Sequence, residues 1–416
     1  MLSRVADSLY WLGRYIERAE NNARMLDVNL QLMLDATLVK NRYSQQHWES
    51  IIYSLEDTKL FEKLYPAING ENVVEFVSFE KKNPNSVYSC LCSARENART
   101  VREQISSEMF EQLNRMFLDF RSGEAKRLFR SSSYQFFQWV LQGCHLFQGI
   151  ADATMAHDEG WDFIQLGKFL ERADRTSRIL DIKYHILLPK GEQIGGNVDL
   201  VQWLAVLNSC SAGEPYRKHF QGQVAPWKVA EFLIKHQTFP RSIRFCVDSF
   251  DYSLHRITGV ERGDFLYRIE AERLSGKLLA DLSYVTIADI FQVGLHEYLD
   301  TIQLRLIEIG NAVYKEFCEW LETEPANDNE RRRSLLFIVV HCRSLHLASS
   351  VPTVIAVPIP VARTTAITLT RYVPDPNSSF VANGGQPPVI GREGNLPHRF
   401  RGTQQFHSPV WMGKRN

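Results

Sequence analysis

Along the first 35 residues the apolar positions Val5, Leu9, Leu12, Ile16, Ala19, Ala23, Leu26, Leu30 and Met33 are spaced alternately by four and three. A seam of period 3.5 predicts one long helix packed lengthwise on its neighbours. Ala19 and Ala23, echoed later by Ala173 and Ser177, leave room for another helix to approach closely. Val87, Leu91, Ala94, Ala98, Val101 and Ile105 form a second seam, and helical patterns recur over 134–150, 198–207 and 287–320. Strand-like alternation is nearly absent before residue 330. The pattern predicts an all-α fold, a bundle of long antiparallel helices with short connections.

The chain also matches itself. Residues 12–34, LGRYIERAENNARMLDVNLQLML, and 166–188, LGKFLERADRTSRILDIKYHILL, share nine identities in 23 positions at an offset of 154. Trp48 then aligns with Trp203, V-V-E-F-V from Val73 with V-A-E-F-L from Val229, Pro84-x-Ser86 with Pro240-x-Ser242, and Cys90 with Cys246. The offset drifts only to 156, as small loop insertions would cause. Order and spacing kept over 80 residues indicate tandem duplication, with copy 1 over residues 1–155, copy 2 over 156–322, and a distinct segment over 323–416.

Charge sets that last segment apart. The formal net charge is zero, yet eleven of the 48 basic residues and only two of the 48 acids lie in 331–416, leaving 37 basic against 46 acidic residues before it. Ten of sixteen prolines fall from Pro325 onward. Such composition predicts a disordered or partner-ordered basic tail, whose removal after Glu322 is expected to leave the body's melting unchanged. The seven cysteines are odd in number, sit in apolar helical runs and follow no signal peptide, so a reduced, cytoplasmic thiol set is expected. Cys90-Leu91-Cys92 lacks the two-residue spacing of a redox or zinc pair. The uncharged stretch 344–362 holds three prolines, so no membrane span is expected.

Candidate chemistry concentrates in the charged motif Glu17-Arg18-Ala19-Glu20 and its repeat Glu171-Arg172-Ala173-Asp174. Arg14 precedes the first and Arg24 follows it, with Arg178 the counterpart of Arg24. Solvated charges drift after a duplication, whereas these persist in both copies beside Tyr10, Trp11, Met25 and Val28, so the face is expected to be covered. A covered carboxylate and guanidinium must be paired to offset desolvation. Two readings stand: an ionic lock fixing helix register, or a polar pocket for a carboxylate, phosphate or partner side chain. A third cluster, Arg95, Glu96, Asn97, Arg99 and Arg102, has no equivalent in copy 2, where Asp251, Tyr252 and His255 replace Arg95, Glu96 and Arg99. Symmetry does not explain it, which makes it a candidate contact for a ligand or partner; a solvated helix face explains it too.

Other signals are weak. His157-Asp158-Glu159 reads as the entry turn of the second long helix, and His296-Glu297 lacks the second His of a zinc-protease helix. Gly195-Gly196 reads as a turn and not a phosphate loop. No metal site and no cofactor are expected, and the acidic body argues against nucleic-acid binding.

Tyr10–Arg24 (YWLGRYIERAENNAR), Leu166–Arg178 (LGKFLERADRTSR) and Ala94–Arg99 (ARENAR) together resemble the alpha-E family, helical proteins named for an E-R motif and found as tandem duplications. The resemblance covers residues 1–320 and leaves the tail without a counterpart. It implies a companion of circularly permuted ATP-grasp carboxylate–amine ligases, accompanied by transglutaminase-like proteins and an N-terminal-nucleophile peptidase, in a peptide synthesis or modification system. By residue it carries over Glu17, Arg18, Glu171 and Arg172, then Arg95, Glu96, Asn97 and Arg99, with no catalytic role for any. The expected function is a non-catalytic helical partner of the ligase. The alternatives are an enzyme or substrate-binding component that uses the paired motifs, and a pure scaffold.

Overall fold

The computed structural model describes residues 1–36, 42–185, 196–222, 224–263 and 267–319. The expected tail of 323–416 lies outside the described residues, as do Cys342 and Gly195. The described chain is helical throughout and holds no β-strand. Copy 1 supplies α1 (Ser3–Ala36), α2 (Arg42–Ser54), α3 (Thr58–Leu64), α4 (Gly70–Ser78), α5 (Val87–Thr100), α6 (Ser107–Ser122), α7 (Glu124–Ser131) and α8 (Ser133–Thr154). Copy 2 supplies α9 (Glu159–His185), α10 (Asn197–Ser209), α11 (Gly213–His219), α12 (Pro226–Lys235), α13 (Ile243–Thr258), α14 (Glu270–Tyr284), α15 (Ile287–Val293) and α16 (Leu295–Val313). A π-helical turn, Tyr314–Cys318, extends α16. Eight helices recur in the same order, so the duplication extends past the stretch where residues still match.

Local sequence sets the helix ends. Ser86 and Ser242, the serines of the two Pro-x-Ser turns, cap α5 and α13 by accepting from the Ser89 and Phe245 amides. Ser106 and Ser132 do the same for α6 and α8. Asp158 accepts from the Gly160 and Trp161 amides, so the His-Asp-Glu segment is the entry turn of α9. The second seam is cut at Thr100, where α5 ends, although Val101 and Ile105 stay buried in the turn that follows. The pattern expected as one stretch over 287–320 is broken at Gly294, whose φ of +109° no β-carbon tolerates well and which separates α15 from α16.

The long helices pack antiparallel on their neighbours within each copy: α1 on α5 and α8, and α9 on α13 and α16. The central pair differs. Gly13 lies against Ile164 and Lys168, and Gly167 against Tyr10 and Arg14, so α1 and α9 run parallel with like residues side by side. Seven helices separate them in sequence, enough to return the chain to the same end. Helices α2 and α10 cross over, each packing on the long helix of the other copy. One continuous apolar core runs from Ala6 to Val313 through both copies, and it includes the whole seam of α1 from Leu9 to Leu26. None of the described helices is long and apolar enough to cross a membrane.

Candidate functional site

The crossing of α1 and α9 places the charged motifs. A β-carbon on Gly13 would stand 2.3 Å from the Ile164 carbonyl oxygen, and one on Gly167 would stand 1.9 Å from that of Tyr10. Both obstacles are backbone, so only glycine permits the contact. Four residues further on come Glu17 and Glu171, both fully buried. Adjacent helix residues point in different directions, and neither glutamate bonds the arginine that follows it. Across the pseudo-twofold axis between parallel helices each reaches the other copy's arginine instead.

The pairing is reciprocal. Arg172 donates Nε to Glu17 Oε1 and Nη2 to Oε2, both at 2.7 Å. Arg18 donates Nε to Glu171 Oε1 at 2.7 Å and Nη2 to Oε2 at 2.9 Å. These are two bidentate forks, the strongest geometry available to this pair. Further donors saturate each acid. Arg14 and Arg175 each add a 2.9 Å bond to Glu171, while Asn21 at 2.9 Å and Arg241 at 3.2 Å serve Glu17. Burial alone would raise these carboxyls, but Arg18, Arg14 and Arg175 outweigh it at Glu171 and hold it well below the usual range. Arg172 and Arg241 likewise lower Glu17 against its burial.

A second layer follows one turn along. Glu20 binds Arg24, His145 of α8 and Arg241, and against its burial the Arg241 guanidinium, the hydrogen bond to His145 and Arg24 hold it well below its ordinary value. Asp174 accepts from Arg178 at 2.9 Å, and Arg178 also reaches Glu56 at 2.8 Å. The turns ahead of α5 and α13 close the ends: Arg18 donates to Asn85 Oδ1 at 2.7 Å, Asn22 to the Asn85 carbonyl at 2.7 Å, and Thr176 to the Arg241 carbonyl at 2.9 Å.

The structure therefore gathers Arg14, Glu17, Arg18, Glu20, Arg24, Glu171, Arg172, Asp174 and Arg178 into neighbouring buried ion-pair clusters along α1 and α9. The third cluster is split. Glu96 and Asn97 line a cavity of about 400 Å³ beside the network, together with Asp7, Trp11, Arg14 and Asp174. Arg95 bonds Asn114 at 3.0 Å, lies over Phe117 and also donates to Glu96 at 2.6 Å, Arg102 lies over Phe110, and Arg99 is exposed and paired to Glu96.

Several participants escaped the sequence reading. Arg241 and Asn85 are the middle residues of the two Pro-x-Ser turns, and Gly13 and Gly167 belong to the repeated L-G-R and L-G-K; both pairs were visible in the self-alignment. Arg175 stands where copy 1 has Asn21, so repeat matching hid it. Gln148, which donates to Glu17 at 3.2 Å and accepts from Arg172 at 3.4 Å, carries no sequence signal.

The six cysteines among the described residues are free thiols. Burial pushes Cys90, Cys210 and Cys246 up to about 12, which makes them poor nucleophiles. His296 bonds Asp181 at 2.8 Å and approaches Asp300 at 3.5 Å, the one such trio with metal-ligand geometry among the described residues.

Among curated proteins the chain is similar to an uncharacterised protein of Mycobacterium bovis, 22% identical over 275 residues, covering 62% of this chain and 30% of the relative. Two uncharacterised proteins of Mycobacterium tuberculosis strains match with the same identity and coverage. The chain thus spans less than a third of these relatives' length. No solved structure matches it. The family model for alpha-E, a predicted alpha-helical domain with a conserved ER motif, matches residues 1–318.

Proposed function

The chain belongs to the alpha-E family, and from that premise we propose that it is a non-catalytic helical partner of an ATP-grasp amide ligase in a peptide synthesis or modification system. One observation carries the reading. The acids and guanidiniums of both E-R motifs are engaged by one another across the repeats, in bidentate forks at 2.7–2.9 Å. A general base needs a proton to take within hydrogen-bond reach; Glu17 and Glu171 face guanidiniums that do not give theirs up. A phosphate or carboxylate ligand would need free guanidinium edges, and those of Arg18 and Arg172 already hold carboxylates.

The motif in this reading is the register lock of a rigid two-copy body, and the body's work is to dock. In the mycobacterial relatives the matching stretch is 30% of a longer chain, so there the helical unit operates beside further polypeptide. The resemblance to alpha-E proteins puts a circularly permuted ATP-grasp protein first among partners, with a transglutaminase-like protein second.

The test is co-expression of the full chain with its cognate ATP-grasp protein, followed by co-purification and a ligation assay with and without this chain. Stable association, with a gain in ligase activity or stability, is expected. A ligase that is fully active and stable alone, and that never associates, ends the reading.

A further inference from the structure

The duplication builds two wells beside the α1–α9 crossing, and they differ in what fills them. One is walled by Ile16, Ile164, Gln165 and Lys168, and Gln148 of α8 projects into it, leaving about 20 Å³. The other is walled by the counterparts of those residues at the 154 offset, namely Leu170, Tyr10, Trp11 and Arg14. Where Gln148 stands in the first, α16 has Gly310, and the second well keeps about 400 Å³. A β-carbon on Gly310 would come 3.3 Å from Leu170 Cδ2 and 3.5 Å from Tyr10 Oη, both ends of side chains. Backbone packing demands glycine at Gly13 and Gly167; at Gly310 it does not. What glycine preserves there is the cavity.

The chemistry of the open well is also its own. Asp7 and Glu96 line it, and their counterparts in the closed half are Trp161 and Tyr252. Glu96 is paired with Arg95 and Arg99, Asp174 with Arg178, and Arg14 with Glu171. Asp7 makes no ion pair among the described residues, and its Oδ1 is buried without a hydrogen-bond partner. Burial raises its carboxyl to about 6 in spite of bonds from the Cys318 thiol and the Trp11 indole. A desolvated acid of this kind, lining one space with the aromatic side chains Trp11 and Tyr314, is the counter-ion half of a cation site.

We propose that this cavity binds a small organic cation, a primary ammonium or guanidinium on an apolar body. Asp7 is its counter-ion, Trp11 and Tyr314 flank the charge, and Leu306 and Ile307 contact the body. A volume of about 400 Å³ is in the range of small-molecule sites, which bury an apolar body and fix it by a few polar groups. The inference stands on the cavity and does not require the ligase partnership.

The experiment is calorimetric titration of the full chain with phenethylammonium, hexylammonium and phenethylguanidinium, against 3-phenylpropionate and 2-phenylethanol as anionic and neutral controls. At least one cation is expected to bind with a Kd below about 1 mM, ahead of both controls. Asp7→Asn is expected to weaken it roughly tenfold or more, and Gly310→Gln, which copies the filled well, to abolish it while the protein melts as the parent does. Should Asp7→Asn disturb folding, Gly310→Gln alone carries the test. Failure of all three cations to bind, binding of the anion or alcohol equal to theirs, or unchanged affinity in Gly310→Gln overturns the proposal.

Discussion

Glu171→Gln probes the reciprocal lock where it is most heavily loaded. The two oxygens of Glu171 accept four charge-assisted bonds at 2.7–2.9 Å, two from Arg18 and one each from Arg14 and Arg175. Glutamine keeps one acceptor oxygen and turns an NH₂ group toward the remaining guanidinium donors. At least two bonds are lost, and three buried cations lose the charge that balances them. Removing one partner of a buried ion pair costs about 3–5 kcal/mol, and three partners put the expectation at the upper end. For a body of this size, ~2 °C of melting temperature per kcal/mol gives a drop of about 6–10 °C. Circular dichroism melts and urea titration at neutral pH read it, with the urea midpoint falling at an unchanged slope. Arg18→Lys, which keeps the charge and loses the fork, should fall between the parent and Glu171→Gln. A Glu171→Gln protein melting within about 2 °C of the parent would show that the network contributes nothing net to the fold, and the lock would have to be given up.

Four other outcomes follow from particular contacts. Gly13→Ala and Gly167→Ala drive a β-carbon into backbone 2.3 and 1.9 Å away and should cost about 1–3 kcal/mol or more. Gly149→Ala and Gly276→Ala, with nothing within 4 Å, should gain about 0.5–1 kcal/mol in the same urea titrations, and equal effects at all four sites would contradict the close crossing. His47 is buried against Asn29 and its pKa is pushed down to about 4, so unfolded chains bind the extra proton between pH 6.5 and 4. Stability held above pH 6.5 is then lost as pH falls through that window, by roughly 3 kcal/mol at about 1.36 kcal/mol per unit; His47→Gln should be free of that loss, and a pH-independent gap between the two proteins would refute it. Residues 1–155 alone should fail to give a cooperative melt, because Glu17 and Arg18 take their fork partners from Arg172 and Glu171; a sharp transition from the isolated copy would show that each half folds by itself. In the cavity, proton and cation compete for Asp7, which is faced by the Cys318 thiol, the Trp11 indole and, across the space, Glu96, Asp174 and Arg14. Phenethylammonium affinity should therefore fall toward tenfold per unit below about pH 6, and a flat profile would remove Asp7 from the site.

Helix content, the repeat and the covered charged face were legible because each leaves a periodic trace. The seam of α1 alternates by three and four, and the motif returns at a fixed offset with its charges intact. The parallel run of α1 and α9 was not legible, since periodicity shows which face is buried and not which way the neighbour points. The glycines Gly13 and Gly167 were the available clue: paired small residues at equal positions in two copies are what a symmetric close contact needs. The partner of each motif acid was hidden for a geometric reason, because Glu17 and Glu171 pair with the arginine of the other copy and not with the one beside them in sequence. The split of the third cluster was hidden too. Glu96 and Asn97 line the cavity beside α1, Arg95 reaches Asn114 of α6, and Arg99 stays exposed on Glu96, which the spacing along α5 alone does not decide.

The two wells show how a duplicated fold can hold one feature constant while altering another. Each fork at the α1–α9 axis takes one residue from either copy, so the two E-R motifs and the crossing glycines are constrained together: a change in one copy breaks a fork or a contact that the other copy shares. Residues one shell away are not tied to their counterparts in this way. Gln148 and Gly310 occupy equivalent places on α8 and α16, and they make opposite choices, an amide bonded to Glu17 and Arg172 on one side and about 400 Å³ of space on the other. The same holds for Asp7 against Trp161 and Glu96 against Tyr252. The E-R residues that agree between copies hold the halves together, with Arg175 and Arg241 adding a bond on one side each. Asp7 and Glu96, which disagree and take no part in the forks, line the space where binding chemistry can reside without loosening the lock.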